Sequence, residues 1–247
     1  MFEIVESDPM QTRIYTLDNG MRLYLSLNED KPRIQTSIAV KAGSKNDPAD
    51  NTGLAHYLEH MLFKGNSEIA SQNWEEEKKL LDQISDLYEK HKATKDEKVK
   101  KQIYKQIDSL SFAASKYAIP NEYDKLVSSL GAKGTNAYTS NERTVYINDI
   151  PTVELEKWMF LESNRFSELT LRLFHTELET VYEEFNRGQD NDRRKVYYAM
   201  LEMLFPTHQY GTQTTIGEGE HLKNPSMVKI HEYFTTYYVP NNMAICL

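Results

Sequence analysis

The 247-residue chain has one cysteine, Cys246, so no internal disulfide can form and the redox compartment stays open. No apolar run approaches the length of about 20 residues that a membrane-spanning helix needs, and the first twenty residues lack a secretory hydrophobic segment. Basic residues number 29 against 37 acidic ones, which gives a net charge of −8. This balance argues against a nucleic-acid or polyanion surface and favours a soluble globular protein.

Alternation of apolar and polar side chains predicts strands near the N-terminus. Residues Arg13 to Leu17 and Met21 to Leu27 alternate on either side of Asn19-Gly20, a strong signal for a tight β-hairpin turn. A third alternating run extends from Ile34 to Lys41. We therefore expect three consecutive antiparallel strands, followed by a polar loop from Gly43 to Asp50.

A metal-binding motif follows this loop. An H-x-x-E-H pentad occupies residues 56–60 of a segment, Asn51 to Phe63, whose pattern predicts a helix. His56 and His60 are one helical turn apart, so both imidazoles can reach one metal ion. Glu59 lies beside them, where it can take a proton from a metal-bound water. Zinc lowers the pKa of such a water to about 7, and this residue order is the inverzincin signature.

The distribution of side chains around this helix distinguishes a functional site from a chance pattern. Short patterns do occur by chance, and most histidines bind no metal. At about 100° per residue, one face carries the apolar side chains Leu54, Leu58 and Met61. The opposite face carries His56, Glu59 and His60. This segregation favours the wall of a metal site, on a helix that we expect Asn51 or Thr52 to cap.

The rest of the chain reads mainly as helices. The Lys- and Glu-rich stretch from Asn73 to Tyr117 predicts a helical hairpin with a capping box at Thr94 to Glu97, and we interpret its charges as a solvated face. Further helices are expected at Asn121–Leu130, Val153–Phe166, Phe174 to about Asn186 or beyond, and Pro225–Tyr238. Single strands are expected at Asn136–Ile150 and Met243–Leu247, and a loop at Pro206–His221.

A third protein ligand is needed, because zinc takes three protein groups and an open position in catalytic sites. The acidic segment from Glu177 to Glu184 is the best place to find it. Glu177 and Glu184 are seven residues apart and therefore lie on the same helix face, whereas Glu183 points about 100° away. Acidic runs are more often solvated surfaces, and the spacing alone does not identify the ligand.

Several motifs follow one another along nearly the whole chain: the pentad, Asn136-Ala137-Tyr138-Thr139-Ser140, Thr144-Val145-Tyr146, Leu155-Glu156-Lys157, Glu177 to Glu184, Gly211-Thr212 and Tyr237 to Met243. In this order they resemble the M16 family of zinc peptidases, which includes pitrilysin, insulysin and the mitochondrial processing peptidase. The chain departs from the usual pattern in the predicted helical hairpin, which resembles an insertion of a bacterial subgroup. The hairpin lies between the pentad and the later motifs and interrupts none of them.

The resemblance implies a role for each matching residue. The zinc ligands would be His56, His60 and Glu184, with one zinc ion per domain. Glu59 would be the general base, and Glu177 a supporting carboxylate of the catalytic site. Asn136 and Ala137 would pair with an extended substrate along a strand edge, where backbone groups bind with little sequence selectivity.

The resemblance also implies a fold and a domain boundary. The expected class is α+β, a mainly antiparallel sheet with helices packed on one face, as in the LuxS/MPP-like metallohydrolases. Residues 1–247 would form the N-terminal metallopeptidase domain of a longer chain, with a helical insertion at about 72–118. The compartment is left open between the bacterial cytoplasm and periplasm, and no signal peptide is present in this sequence.

Two functions remain open at this point. One is a zinc endopeptidase that hydrolyses extended, unstructured peptides by attack of a zinc-bound water. Its partner would be a C-terminal half or a partner subunit, and without this partner the 247 residues could be inactive. Assembly into homo-oligomers stays an open alternative. The other is a non-catalytic M16-like binding or assembly module. The complete set of motif residues favours the peptidase. A LuxS-like lyase is disfavoured, because that enzyme is shorter and lacks the acidic helix.

Overall fold

The computed structural model describes residues 2–28 and 30–247, and its strands form one six-stranded sheet within those residues. The strands are β1 (Arg13–Thr16), β2 (Arg22–Leu25), β3 (Arg33–Val40), β4 (Lys133–Thr139), β5 (Thr144–Pro151) and β6 (Met243–Cys246). The helices are α1 (Leu54–Met61), α2 (Trp74–Ala93), α3 (Glu97–Ser115), α4 (Glu122–Ser129), α5 (Leu155–Ser167), α6 (Phe174–Gln189), α7 (Asp192–Leu204), α8 (Gln209–Thr212), α9 (Gly219–Lys223) and α10 (Met227–Tyr237). None of the described helices is long and apolar enough to cross a membrane.

The sheet has the strand order β1-β2-β6-β3-β5-β4. The Asn19-Gly20 hairpin is confirmed, because β1 and β2 pair antiparallel and Gly20 has a φ of 84°. The prediction of three consecutive paired strands is wrong at its third member. The C-terminal strand β6 lies between β2 and β3, parallel to β2 and antiparallel to β3. Alternation reveals that a segment is extended, but it does not reveal which other strand will be its neighbour.

The segment expected as a single strand from Asn136 to Ile150 is two strands. β4 and β5 pair antiparallel and are joined by a tight turn in which the Ser140 N–H donates to the Arg143 carbonyl at 2.8 Å. Polar residues such as Ser140 and Asn141 stabilise turns through their side chains, and this local signal outweighs the β-formers on either side. The turn places β4 at the edge of the sheet.

Helices cover one face of the sheet. From Thr36 onward the even-numbered residues of β3 are buried, as are those of β5, among them Val40, Tyr146 and Ile150, while their odd-numbered neighbours are mostly more exposed. This alternation is typical of an antiparallel sheet with a single covered face. The expected class, a mainly antiparallel sheet with helices packed on it, is confirmed.

The helical hairpin is present as α2 and α3, and a bridge between Ser71 and Ala118 closes its base. The expected capping box is wrong. Thr94 ends α2 by donating its hydroxyl to the Lys90 carbonyl, and the Asp96 carboxylate caps α3 by accepting from the N–H of Lys98 and Val99. Asp96 stands immediately before the helix, where a carboxylate caps well.

The C-terminal third holds more helix than the sequence pattern predicts. Helix α7 was not anticipated, and two short helices, α8 and α9, occupy the stretch expected to be a loop. Asn191 separates α6 from α7, since its side chain accepts from the N–H of Arg194 and starts a new helix. In α5, Trp158 and Leu161 are buried as expected, whereas Met159 lies exposed, as does Val153, which precedes the helix.

Candidate metal centre and active site

Helix α1 is held at its N-terminus by a carboxylate that stands earlier in the preceding loop than the expected caps. Asp47 is buried and accepts the N–H of Gly53 at 2.8 Å and of Ala55 at 2.9 Å. Asn51 and Thr52 therefore do not cap the helix, and that prediction is wrong. Gly53 has a φ of 85°, and a Cβ there would lie 2.6 Å from the Ile216 carbonyl oxygen. Only glycine fits this close approach.

The two faces of α1 are divided as the spacing predicts. Leu54, Leu58 and Met61 are buried in the core. On the other side, His56 and Glu59 line a cleft of about 630 Å³ whose lining also includes β4 and the C-terminal half of α6. The helix is thus anchored by its apolar side chains and presents its motif residues to one wall of the cleft.

Three nitrogen and oxygen donors converge at this wall. Nε2 of His56 lies 3.4 Å from Nε2 of His60. The Oε2 atom of Glu184 lies 3.7 Å from Nε2 of His56 and 4.0 Å from Nε2 of His60. Candidate ligand atoms of these three residues all lie within 4.8 Å of one another.

These separations fit a tetrahedral zinc ion. With zinc–nitrogen bonds of about 2.0–2.1 Å, two ligands of a tetrahedral ion are roughly 3.3–3.4 Å apart. The two histidine nitrogens already have this separation, and the carboxylate oxygen is somewhat farther away, at 3.7 Å from one nitrogen and 4.0 Å from the other. Two imidazoles and one carboxylate, with an open side toward the cleft, form a donor set typical of catalytic zinc.

Glu177 lies one layer behind His60. Its Oε2 is 3.3 Å from Nδ1 of His60, and its Oε1 is 2.5 Å from Nζ of Lys64. When Nδ1 of His60 donates to Glu177, Nε2 is left as the acceptor that faces His56 and Glu184. Nδ1 of His56 is buried and has no such partner in the described part of the chain.

The two histidines have pKa values shifted in opposite directions. Burial, with the nearby charges of His60 and Arg194, lowers the pKa of His56 to about 4. Burial also opposes protonation of His60, but the hydrogen bond to Glu177 and the charges of Glu184 and Glu177 outweigh it, so the pKa of His60 is raised. His56 is therefore ready to bind a metal at neutral pH, and His60 is held by its carboxylate partners.

Glu59 lies beside the two histidines with its side chain largely buried. Burial raises the pKa of Glu59, although a hydrogen bond from Thr139 Oγ1 to Oε2 at 2.5 Å works in the opposite direction. Thr139 is on β4, so the sheet edge holds the orientation of this carboxylate. A carboxylate with a raised pKa suits proton transfer near neutral pH.

The two residues expected to bind substrate both lie on the edge strand. Asn136 pairs in register with Ile147 and Ala137 with Tyr146, and β4 pairs with no second strand among the described residues. Ala137 lines the cleft, with Tyr138 and Thr139, whereas Asn136 is not part of the cleft lining. The backbone of β4 thus offers unpaired groups beside the histidines.

Sequence reasoning missed several residues of this site. Thr139 belongs to the quoted motif but was given no role, and Lys64 stands just beyond the motif helix. Arg187 and Arg194 line the cleft opposite β4. A partial signal existed for Arg187, which is three residues after Glu184 and shares its side of α6. No local signal existed for Thr139 or Arg194, because tertiary packing brings them to the cleft.

Comparison with known proteins gives the site a context. A family model described as "Insulinase (Peptidase family M16)" matches residues 23–95, which include the pentad. The insulin-degrading enzyme of Mus musculus is 24% identical over 262 residues, covering 99% of this chain and 20% of the mouse protein. The zinc protease PqqE of Helicobacter pylori is 24% identical over 234 residues, covering 93% of this chain and 41% of that protein. The chain is therefore similar to M16 peptidases in the segment that carries the pentad, and to these two proteins over nearly its whole length.

The fold agrees with the M16 relationship. The crystal structure of a protease from Helicobacter pylori has a TM-score of 0.69 to this chain at 22% identity, covering 95% of this chain and 45% of that one. The expected resemblance to family M16 is thereby confirmed, and it supports a peptidase role at the level of the family. The chain spans less than half the length of each of these three proteins.

Proposed function

We propose that the chain is a zinc-dependent endopeptidase domain of the M16 type. The observation that carries the proposal is the convergence of His56, His60 and Glu184 within 4.8 Å, with the Glu59 carboxylate beside them at one cleft. These four residues come from two helices more than 100 residues apart in sequence. Polar residues that only keep a helix surface hydrated would not need to place two imidazoles and two carboxylates so close together.

The ligand roles follow from the geometry of the donors. His56, His60 and Glu184 would hold one zinc ion, and Glu177 would fix the ring of His60 through Nδ1. Zinc bound there would lower the pKa of a coordinated water to about 7 and polarise a substrate carbonyl. Glu183 serves as an internal contrast, since it is exposed on the same helix and is not part of the donor cluster.

Glu59 would act as the general base. Its Oε2 accepts from Thr139, which leaves Oε1 available to take a proton from the attacking water. The same carboxyl group can then give that proton to the amine released from the substrate, so Glu59 ends the cycle ionised. Its raised pKa brings the two protonation states closer in energy at neutral pH, which favours both transfers.

The sheet edge would position the substrate. An extended peptide can pair with the free side of β4 through backbone hydrogen bonds at Asn136 and Ala137, and this puts its carbonyl groups beside the histidines. Backbone pairing requires an extended chain but reads little side-chain identity. We therefore propose unstructured peptides as the substrate class.

The chain would be an N-terminal M16 domain, residues 1–247 with a helical insertion at about 72–118. The relatives that it matches are more than twice its length, so a C-terminal half or a partner subunit is proposed to complete the cleft. Preorganised donors at a developing oxyanion are worth about 10²–10³ in rate each. The 247-residue chain alone should then cleave peptides poorly, and adding the second half in trans should restore turnover.

The proposal is tested first by zinc stoichiometry. Elemental analysis of the purified, zinc-treated chain should give about one zinc per molecule, since the site offers one set of three donors. Glu184→Gln and the double variant His56→Ala with His60→Ala should lose it, whereas Glu183→Gln should keep it. Zinc retained after removal of both histidines would overturn the assignment.

The base is tested separately from the metal. Glu59→Gln should retain zinc yet lose hydrolysis of a fluorogenic peptide, measured with the longer protein or with the two halves mixed. Hydrolysis by the zinc-loaded variant at the wild-type rate would exclude Glu59 as the base. If the wild-type protein binds zinc and peptide but never hydrolyses peptide, the chain is a non-catalytic binding module instead.

A further inference from the structure

Two arginines stand on the side of the cleft that faces β4. Arg187 is in the last turn of α6, three residues after Glu184, and Arg194 is in the first turn of α7. Both line the same cleft as His56, Glu59 and Ala137. Acidic residues outnumber basic ones in the whole chain, so this pair is a local departure from the overall charge.

The position of Arg194 depends on a glycine in the neighbouring helix. Gly188 is buried within α6, and a Cβ at that position would lie 2.5 Å from Nη1 of Arg194 and 3.5 Å from its Cδ. Glycine inside a helix is destabilising relative to alanine, because it loses more conformational freedom on folding. The absent side chain lets the arginine stem lie against the backbone of α6, which directs the guanidinium along the cleft wall. The nearness of Arg194 to His56 is also visible in its contribution to the lowered pKa of that histidine, after burial and His60.

Neither arginine is neutralised by its surroundings. Among residues 2–28 and 30–247, the arginines that form ion pairs are Arg33, Arg165 and Arg172. The guanidinium groups of Arg187 and Arg194 form no hydrogen bond or ion pair with another side chain in that part of the protein. Two exposed guanidinium groups, each with planar donors, therefore line the cleft of about 630 Å³.

We propose that Arg187 and Arg194 form a carboxylate-binding subsite that selects peptides with a negative charge beside the scissile bond. Arginine is the side chain best matched to a carboxylate, because its fork of N–H donors can bind both oxygens. The carboxylate can come from an acidic side chain or from the C-terminus of a short peptide. This inference rests on the proposed peptidase function, since it assigns a preference to the same cleft. β4 would bind the peptide backbone, and the two arginines would bind the carboxylate of the peptide.

The test is a binding measurement that does not depend on turnover. The zinc-loaded Glu59→Gln protein is titrated with fluorescent eight-residue peptides that differ at one central position, Glu, Gln or Lys, all with amidated C-termini. A fourth peptide has Gln at that position and a free C-terminal carboxylate. Exposed ion pairs are individually weak, so we expect about fivefold tighter binding of one carboxylate peptide over the amidated Gln peptide, and the weakest binding for Lys. The Glu peptide and the free C-terminus identify the source of the carboxylate.

Three variants then locate the effect. Arg187→Gln and Arg194→Gln should each reduce the preference toward unity, whereas Arg193→Gln, an exposed neighbour on α7 that does not line the cleft, should leave it unchanged. Arg187→Glu should shift the preference toward the Lys peptide. Circular dichroism spectra of all variants should match the parent protein, because these side chains are exposed.

The outcomes separate this inference from the proposed function. Zinc binding and peptide binding without any charge preference would overturn the subsite and leave the peptidase proposal standing. Equal loss of preference in Arg193→Gln and Arg187→Gln would also overturn the subsite, since it would indicate a general charge effect. Failure to bind zinc would instead count against the function itself. A preference lost only in the two cleft variants supports the subsite.

Discussion

The two walls of the cleft differ in how firmly they are packed. The inner wall consists of α1 and β4, and the outer wall consists of α6 from Glu184 onward together with α7. In α1, six of eight residues are buried, whereas none of the residues of α7 is buried. Along α6 itself, the Glu177 side chain is 12% exposed and that of Glu184 is 35% exposed.

This difference in packing matches the different roles that we propose for the two walls. Three of the groups for which we propose a fixed geometry, the two histidines and Glu59, are on the wall whose backbone is set by the core, and the third proposed ligand, Glu184, is where the outer wall begins. The arginines, which need only a charge in roughly the right place, are on the wall that packs loosely. Loosely packed segments open more readily than core elements, so the outer wall is the part of the cleft best able to adapt to the proposed peptide substrates.

The packing behind the inner wall gives the largest expected effect. Arg172 is buried and donates to both carboxylate oxygens of Glu77, at 2.6 and 2.8 Å, and to three carbonyl oxygens just after α1. Arg172→Met leaves that carboxylate buried and unpaired, which costs about 3–5 kcal/mol. Denaturant unfolding measures this loss in the free energy of unfolding. Arg193→Met on the outer wall should stay within about 0.5 kcal/mol, and equal losses in both variants would contradict the comparison.

The contact between Glu177 and His60 sets the next largest effect. Glu177→Gln weakens the hydrogen bond that orients the imidazole, so zinc affinity should fall by about 10- to 100-fold with the stoichiometry unchanged. Competition with a chromophoric chelator measures the affinity. Glu183→Gln is the matched control on the same helix. An unchanged affinity in Glu177→Gln would mean that packing alone positions His60.

Zinc affinity should also fall as the pH falls, because protons compete with zinc for the histidine nitrogens. The metal binds neutral imidazole, and the pKa of His60 is raised above its ordinary value while that of His56 is lowered to about 4. Affinity should therefore fall about tenfold per pH unit once the pH drops below the pKa of His60, because one proton must be displaced. Chelator competition between pH 5 and 8 tests this. Glu177→Gln should move the onset to lower pH, and a flat profile would be inconsistent with the model of one competing proton.

The smallest effect concerns the link between β4 and the proposed base. Thr139→Val removes the hydroxyl that donates to Glu59, so peptide turnover should fall about five- to tenfold while zinc binding is unchanged. Thr139→Ser keeps the hydroxyl and should retain most of the turnover. Steady-state kinetics of the three proteins decide the matter, because a purely structural role for this residue would affect the valine and serine variants alike.

Local patterns predicted the elements of the fold better than their arrangement. The amphipathic spacing of α1, the hairpin α2–α3 and the turn at Asn19-Gly20 are all properties of short segments, and each was found. The position of β6 between β2 and β3 joins segments more than 200 residues apart, and no local signal encodes it. The cap of α1 is a different case, since Asp47 is nearby in sequence but does not occupy the position directly before the helix, where a cap is expected.

The sequence alone determined that His56, Glu59 and His60 share one face of a helix, because a 3.6-residue period leaves no alternative once the segment is helical. It also determined that Glu177 and Glu184 lie on one side of a second helix. Only the tertiary structure decided which of them approaches both histidine Nε2 atoms and which lies behind His60. The packing of α1 against α6 and β4 decided it, because the distance between two helices depends on core side chains throughout the chain and not on the residues of the site.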